Sequence, residues 1–368
     1  MEQIQPSITD KRNYGLDALK ILSMIYVVIL HALGMGGVVF ASKGGNHLLI
    51  MILFFWCSCA VNIFALTTGY VSYTGQPKKL NRERIFSLWF QVVFYGLIIV
   101  SVFFCVLPDR VTVNDLYSAV LPLFSFEYWY YSAYFVVYLL SPFINMAVRS
   151  LPETTLRKTV VVVVLVFSFF SLFANNLGIV QPFSFTWVFV LYFLGASIKK
   201  CGLFEKLSNI KLICGIVICT LISFGWYIWV KEISFVNSKW DNYLLSKYIS
   251  PTMLMMAVCY LILFKRIKFG EGFKKILRFL SPCVFASYLI NTHPVVYLFM
   301  YDLFVPFTKL NILLTILCIV VYAVLFVICA CLIDKVRMLL FKLVRLDKLA
   351  GLLGVLSGKI VEAIGKRL

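Results

Sequence analysis

The sequence predicts an all-α, polytopic transmembrane helix bundle of about ten spans, and three observations carry that prediction. Of the 368 residues, 62% are hydrophobic and only 14% are charged, against about 45–50% and about 25% in a soluble domain. The apolar residues fall in runs long enough to cross a bilayer. The 34 basic residues crowd into the gaps between those runs. Aromatics, at 17%, suit interfacial belts and packed helices.

Taken in order, the runs are 16–39, 47–71, 85–107, 119–147, 158–178, 183–198, 210–230, 248–264, 280–300 and 310–333. Lys11 and Arg12 precede the first, and Lys78, Lys79, Arg82 and Arg84 precede the third. Arg149, Arg157 and Lys158 separate the fourth from the fifth; Lys199, Lys200, Lys206 and Lys211 separate the sixth from the seventh. Lys265, Arg266, Lys268, Lys274, Lys275 and Arg278 separate the eighth from the ninth, and a basic tail follows the tenth. The alternate gaps hold only Lys43, Arg110, Lys231, Lys239, Lys247 and Lys309. With Lys20 counted at the inner end of the first run, the division is 28 against 6. Basic loops stay in the cytoplasm, so both termini are expected there, a parity that ten spans satisfy. Pro122, Pro142, Pro182, Pro251, Pro282 and Pro294 mark run ends or kinks.

Two domains follow: a membrane body over 1–335, and a basic amphipathic cytoplasmic tail over 336–368. In the tail, Met338, Leu339, Phe341, Leu343 and Val344 alternate with Arg337, Lys342, Arg345 and Lys348 at helical spacing. That pattern suits the anionic inner leaflet, with membrane lipids as partners; the alternative is a flexible basic tail. The net charge of +18 reads as topology and lipid contact, so no nucleic-acid partner is expected. The 11 cysteines lie almost all in apolar runs without a Cys-x-x-Cys pair, as small fillers; no disulfide or metal site is expected. The first run is too long for the core of a cleavable signal peptide, so none is expected.

Polar groups inside apolar runs carry a cost, about 2.5–3.5 kcal/mol for a charge at a helix centre, and function is what ordinarily offsets it. In the first run Asp17 and Lys20 are three apart on one face and able to pair. His31 lies about 16 Å beyond Lys20 at helical rise, in the outer half of the bilayer. The ninth run also points outward and brings Asn291 and His293 to similar depth. The fourth run opens outside, placing Glu127 and Trp129 in the same layer. A histidine base with Glu127, Asn291 and His293 around it would face outward; Lys20, Arg82 and Arg84 would form a cationic cluster inside, fit for a phosphate-rich ligand. The structural alternatives are an interhelical histidine, a basic loop that only sets topology, and an aromatic belt around Trp129.

Four segments resemble the acyltransferase 3 membrane family. Arg12-Asn13-Tyr14-Gly15-Leu16-Asp17-Ala18-Leu19-Lys20, followed by His31, is similar to that family's opening, a basic residue, ten residues and a histidine. Lys79-Leu80-Asn81-Arg82-Glu83-Arg84-Ile85 is similar to its basic motif at the third span. Tyr128-Trp129-Tyr130 through Leu139-Leu140-Ser141-Pro142 is similar to its aromatic segment. Leu280-Ser281 through Tyr288-Leu289-Ile290 is similar to its late element, which ordinarily ends in histidine; here Asn291 stands in that place and His293 follows two residues later. The resemblance covers about 10–335. It implies a membrane-bound O-acyltransferase of the bacterial cell membrane, moving an acyl group, commonly acetyl, from cytoplasmic acyl-CoA to a hydroxyl of an extracytoplasmic or lipid-linked glycan. His31 would then be the general base, and acetyl-CoA a co-substrate with no metal. The competing class is a transporter or exporter of a small molecule or polysaccharide; internal repeats would mark it, and none is evident between the two halves.

Overall fold

The computed structural model describes residues 12–77, 79–125, 128–173, 183–232 and 240–365. Among these the chain is helical, without strands. The principal helices are α1 (Tyr14–Leu33), α2 (Gly44–Cys57), α3 (Ala60–Ser72), α4 (Arg82–Val106), α5 (Trp129–Ser150), α6 (Glu153–Val164) and α7 (Phe185–Cys201). They continue with α8 (Asn209–Glu232), α9 (Pro251–Lys265), α10 (Glu271–Leu280), α11 (Phe285–Asn291), α12 (Pro294–Phe299), α13 (Ile312–Leu343) and α14 (Leu346–Gly365).

Among the described residues, 7 helical stretches are long and apolar enough to cross a membrane: α1, α2 with α3, α4, α5, α8, Leu244–Lys265 and α13. The other three expected runs are built differently. The 183–198 run is α7, 17 residues long and mostly buried. The 158–178 run continues from α6 into a π turn over Leu165–Phe170, and 174–182 lie outside the described residues. The 280–300 run is broken into a 3₁₀ turn, α11 and α12, with Pro282 and Pro294 at the starts of the pieces. A proline lacks the N–H of a continuous helix, so it opens a segment more readily than it continues one.

α1 is the hub, packed against α13, α3, α9, α2 and α11. Asn13 fixes its entry twice: Oδ1 accepts from Leu16 N–H at 3.1 Å, and Nδ2 donates to the Lys265 carbonyl at the end of α9 at 2.9 Å. Asp17 does not pair with Lys20 as expected. It pairs with Arg12 at 2.6 Å and accepts from Ser281 Oγ at 2.9 Å, because the chain before α1 folds the longer guanidinium back onto it. α3 and α7 meet backbone to backbone, where glycine is required. A Cβ on Gly69 would lie 2.1 Å from the Tyr192 carbonyl oxygen, and one on Gly195 would lie 2.1 Å from that of Leu66. Such small-residue contacts drive helix association where lipid removes the hydrophobic contribution.

α13 runs unbroken through 336–343, the start of the expected tail. No proline or glycine interrupts it, and Asp334 neutralises Arg337 one turn on at 2.6 Å. The chain turns at Arg345, whose φ is 58°, and α14 then packs along α4.

Candidate active site

The site begins with a contact between distant parts of the chain. His31 sits in the last turn of α1 and Asn291 ends α11. Their side chains meet, His31 Nδ1 against Asn291 Oδ1. A carboxamide oxygen only accepts, so the imidazole carries its proton on Nδ1 and its lone pair on Nε2. Nε2 has no protein partner among the described residues. Asn291 is fully buried and directs Nδ2 at Met300 Sδ, 3.5 Å away. Tyr297 packs edge-on against the imidazole, centroids 5.2 Å apart. The hydrogen bond and the Tyr297 contact together fix the ring's orientation.

Three cavities string along this axis. At the end of the bundle bearing Arg12, Lys20 and Arg84 lies one of about 300 Å³, also lined by Gln91 and Tyr134. A second, of about 360 Å³, is lined by His31, Trp129, Tyr248 and Tyr288. Phe64 and Tyr130 line both, so the two abut. A third, of about 480 Å³, opens past His31 toward Tyr243 and Lys247 at the opposite end. It shares His31, Tyr248 and Tyr297 with the second. These volumes are in the range of small-molecule sites, and the middle one is mostly aromatic and aliphatic with few polar groups.

The structure divides the sequence-derived candidates. Lys20 and Arg84 come together in the first cavity, joined by Arg12. Lys20 makes no ion pair among the described residues, and Arg84 lies over the Tyr138 ring at 5.6 Å. Arg82 does not join them. It turns to the groove between α4 and α14, where a Cβ on Gly358 would lie 2.6 Å from its Nη1. His293 does not join His31 either: its Nδ1 accepts from Val295 N–H at 3.3 Å, capping α12, and its ring packs edge-on to Tyr128. Glu127 lies outside the described residues. Trp129 lines the middle cavity, stacked on Tyr248 with an interplanar angle of 19°.

A family model described as an acyltransferase domain matches residues 13–335. The chain belongs to the acyltransferase 3 family. Comparison with curated proteins and with solved structures gives no match. With its apolar helices, the chain is a multi-pass membrane acyltransferase.

Two polar clusters of this acyltransferase escaped the sequence reading. Asp334, fully buried, accepts from Gln91 Nε2 at 3.0 Å, Tyr95 OH at 2.9 Å and Arg337 Nε at 2.6 Å. It thereby orients Gln91, whose side chain lines the Lys20 cavity. Asp334 falls just past the apolar run 310–333, within the membrane body over 1–335 but outside any predicted span; the apolar pattern that resumes at Met338 is the signal that the helix continues. Asn62 is the second: its Oδ1 accepts from Trp187 Nε1 at 2.9 Å and its Nδ2 donates to the Tyr248 carbonyl at 2.7 Å. Asn62 lies mid-run in 47–71, and only the fold shows its partners.

Proposed function

We propose that this acyltransferase moves an acyl group, acetyl by preference, from cytoplasmic acyl-CoA to a hydroxyl of an extracytoplasmic or lipid-linked glycan in a bacterial plasma membrane. The observation that carries the reading is His31: its Nδ1 is committed to Asn291, and it lines a cavity that abuts the cationic one. On this reading the basic end is the cytoplasmic one. The polyanionic head of CoA docks on Lys20, Arg84 and Arg12, where charge-assisted hydrogen bonds are strongest. The thioester arm extends between Phe64 and Tyr130 into the aromatic cavity.

There the acceptor hydroxyl, arriving from the opposite end, gives its proton to His31 Nε2 while its oxygen attacks the thioester carbon. The carbon–sulfur bond breaks, and the departing CoA sulfur takes the proton back from the imidazolium. Atoms and charge balance without a metal or a covalent enzyme intermediate. Asn291 acts through His31 as a positioning residue, fixing the tautomer that can accept. The aromatic walls exclude water, which would otherwise hydrolyse the thioester.

The test uses inside-out vesicles carrying the protein, supplied with radiolabelled acetyl-CoA. Covalent label on glycan, resistant to washing and released by mild base, supports ester transfer. Glycan that moves across the membrane without acquiring label would overturn it in favour of an exporter.

A further inference from the structure

At the end of the bundle opposite Lys20 and Arg84, a groove of about 550 Å³ adjoins the outer cavity and shares Phe40 and Tyr243 with it. Lys43, at the start of α2, and Lys231, at the end of α8, both border it. Both are exposed, and neither makes an ion pair among the described residues. Lys231 is steadied over the Tyr227 ring at 5.4 Å. The floor between them is fixed by His47, whose Nδ1 donates to the Val39 carbonyl at 3.0 Å and whose Nε2 accepts from Tyr227 OH at 2.7 Å. No acidic side chain lines the groove among the described residues. The contrast with the neighbouring cavity is informative: there Lys247 is neutralised by Asp241 at 2.8 Å. The sequence places only 6 of its 34 basic residues at this end, so two uncompensated lysines facing one groove are a concentrated use of them.

We propose that this groove seats an anionic group of the acceptor, a carboxylate or a phosphate, while a hydroxyl of the same molecule reaches His31 through the shared cavity wall. The proposal rests on the acyl-transfer reading for the acceptor's role, and it narrows the substrate class to acidic or phosphate-linked glycans. The lysines act as point charges at short range, and the fixed His47–Tyr227 pair keeps the floor shaped for a ligand that does not have to order it first.

The test is binding, measured without any acyl donor so that it stands apart from whether transfer occurs. Purified protein in neutral-lipid nanodiscs is titrated with octyl glucoside, octyl glucuronide and octyl 6-phosphoglucoside, with empty nanodiscs as the blank. The expected result is at least tenfold tighter binding of one or both charged probes than of the neutral one. That preference is lost in Lys43→Gln/Lys231→Gln, kept in Lys43→Arg/Lys231→Arg, and weakened by salt. Which charged probe wins distinguishes a carboxylate from a phosphate source. Equal binding of all three, no binding of any, or a preference that survives in the glutamine variant would overturn the proposal.

Discussion

His31 and Asn291 are 260 residues apart in the chain and share one hydrogen bond. Both were legible as costly polar groups brought to similar depth by two apolar runs; which of Glu127, Asn291 and His293 touches His31 was not, because a contact across that separation is set by packing. Asn291 occupies the place where the family resemblance leads one to expect histidine. As the acceptor for Nδ1–H it needs no proton of its own, so under the proposed mechanism the base remains His31. Asn291→Leu, similar in size, removes the acceptor and should lower transfer about tenfold, the worth of one net hydrogen bond of about 1.4 kcal/mol. Asn291→Asp keeps an acceptor there and should retain most activity. Steady-state rates at matched protein abundance check both. His293→Asn should leave rates and folding near wild type, since asparagine also caps a helix; a large loss of rate would place His293 in the chemistry after all.

At the scale of elements, the sequence was read well where a long apolar stretch forms one helix, as in α1, α4 and α8. It was read less well where proline divides a stretch counted as one span, as at Pro282 and Pro294 within 280–300; the last long helix also runs on past 333, with Asp334 paired to Arg337. Hydropathy sees the apolar residues and not the partner that neutralises a charge. Asp334→Leu strands a buried guanidinium and should cost about 3–5 kcal/mol, read as a lower melting temperature in detergent. The double variant Asp334→Leu/Arg337→Met should recover part of that stability, since no charge is left unpaired while Gln91 and Tyr95 still lose their acceptor. Gly69→Val should be as damaging by another route, because no side chain fits against the Tyr192 carbonyl and α3 must part from α7.

Across the whole molecule, the bundle puts cations at one end, an aromatic chamber with a histidine in the middle, and an opening past Lys247 at the other. The ten residues between Lys20 and His31 are the vertical offset between the first two stations, about 16 Å along one helix. Phe64 and Tyr130 stand where the first two cavities meet. Phe64→Trp should therefore slow transfer while acyl-CoA still protects the basic cavity from modification, a separation of binding from turnover that a general folding defect would not give. The most direct measurement is the initial rate of labelled acetyl transfer to glycan by wild type and by His31→Ala, inserted to equal abundance, with acetyl-CoA supplied only at the basic face. The account predicts a loss of about 10²–10⁴-fold in the variant, the usual worth of a positioned general base, with acyl-CoA binding unchanged; a rate equal to wild type would contradict it.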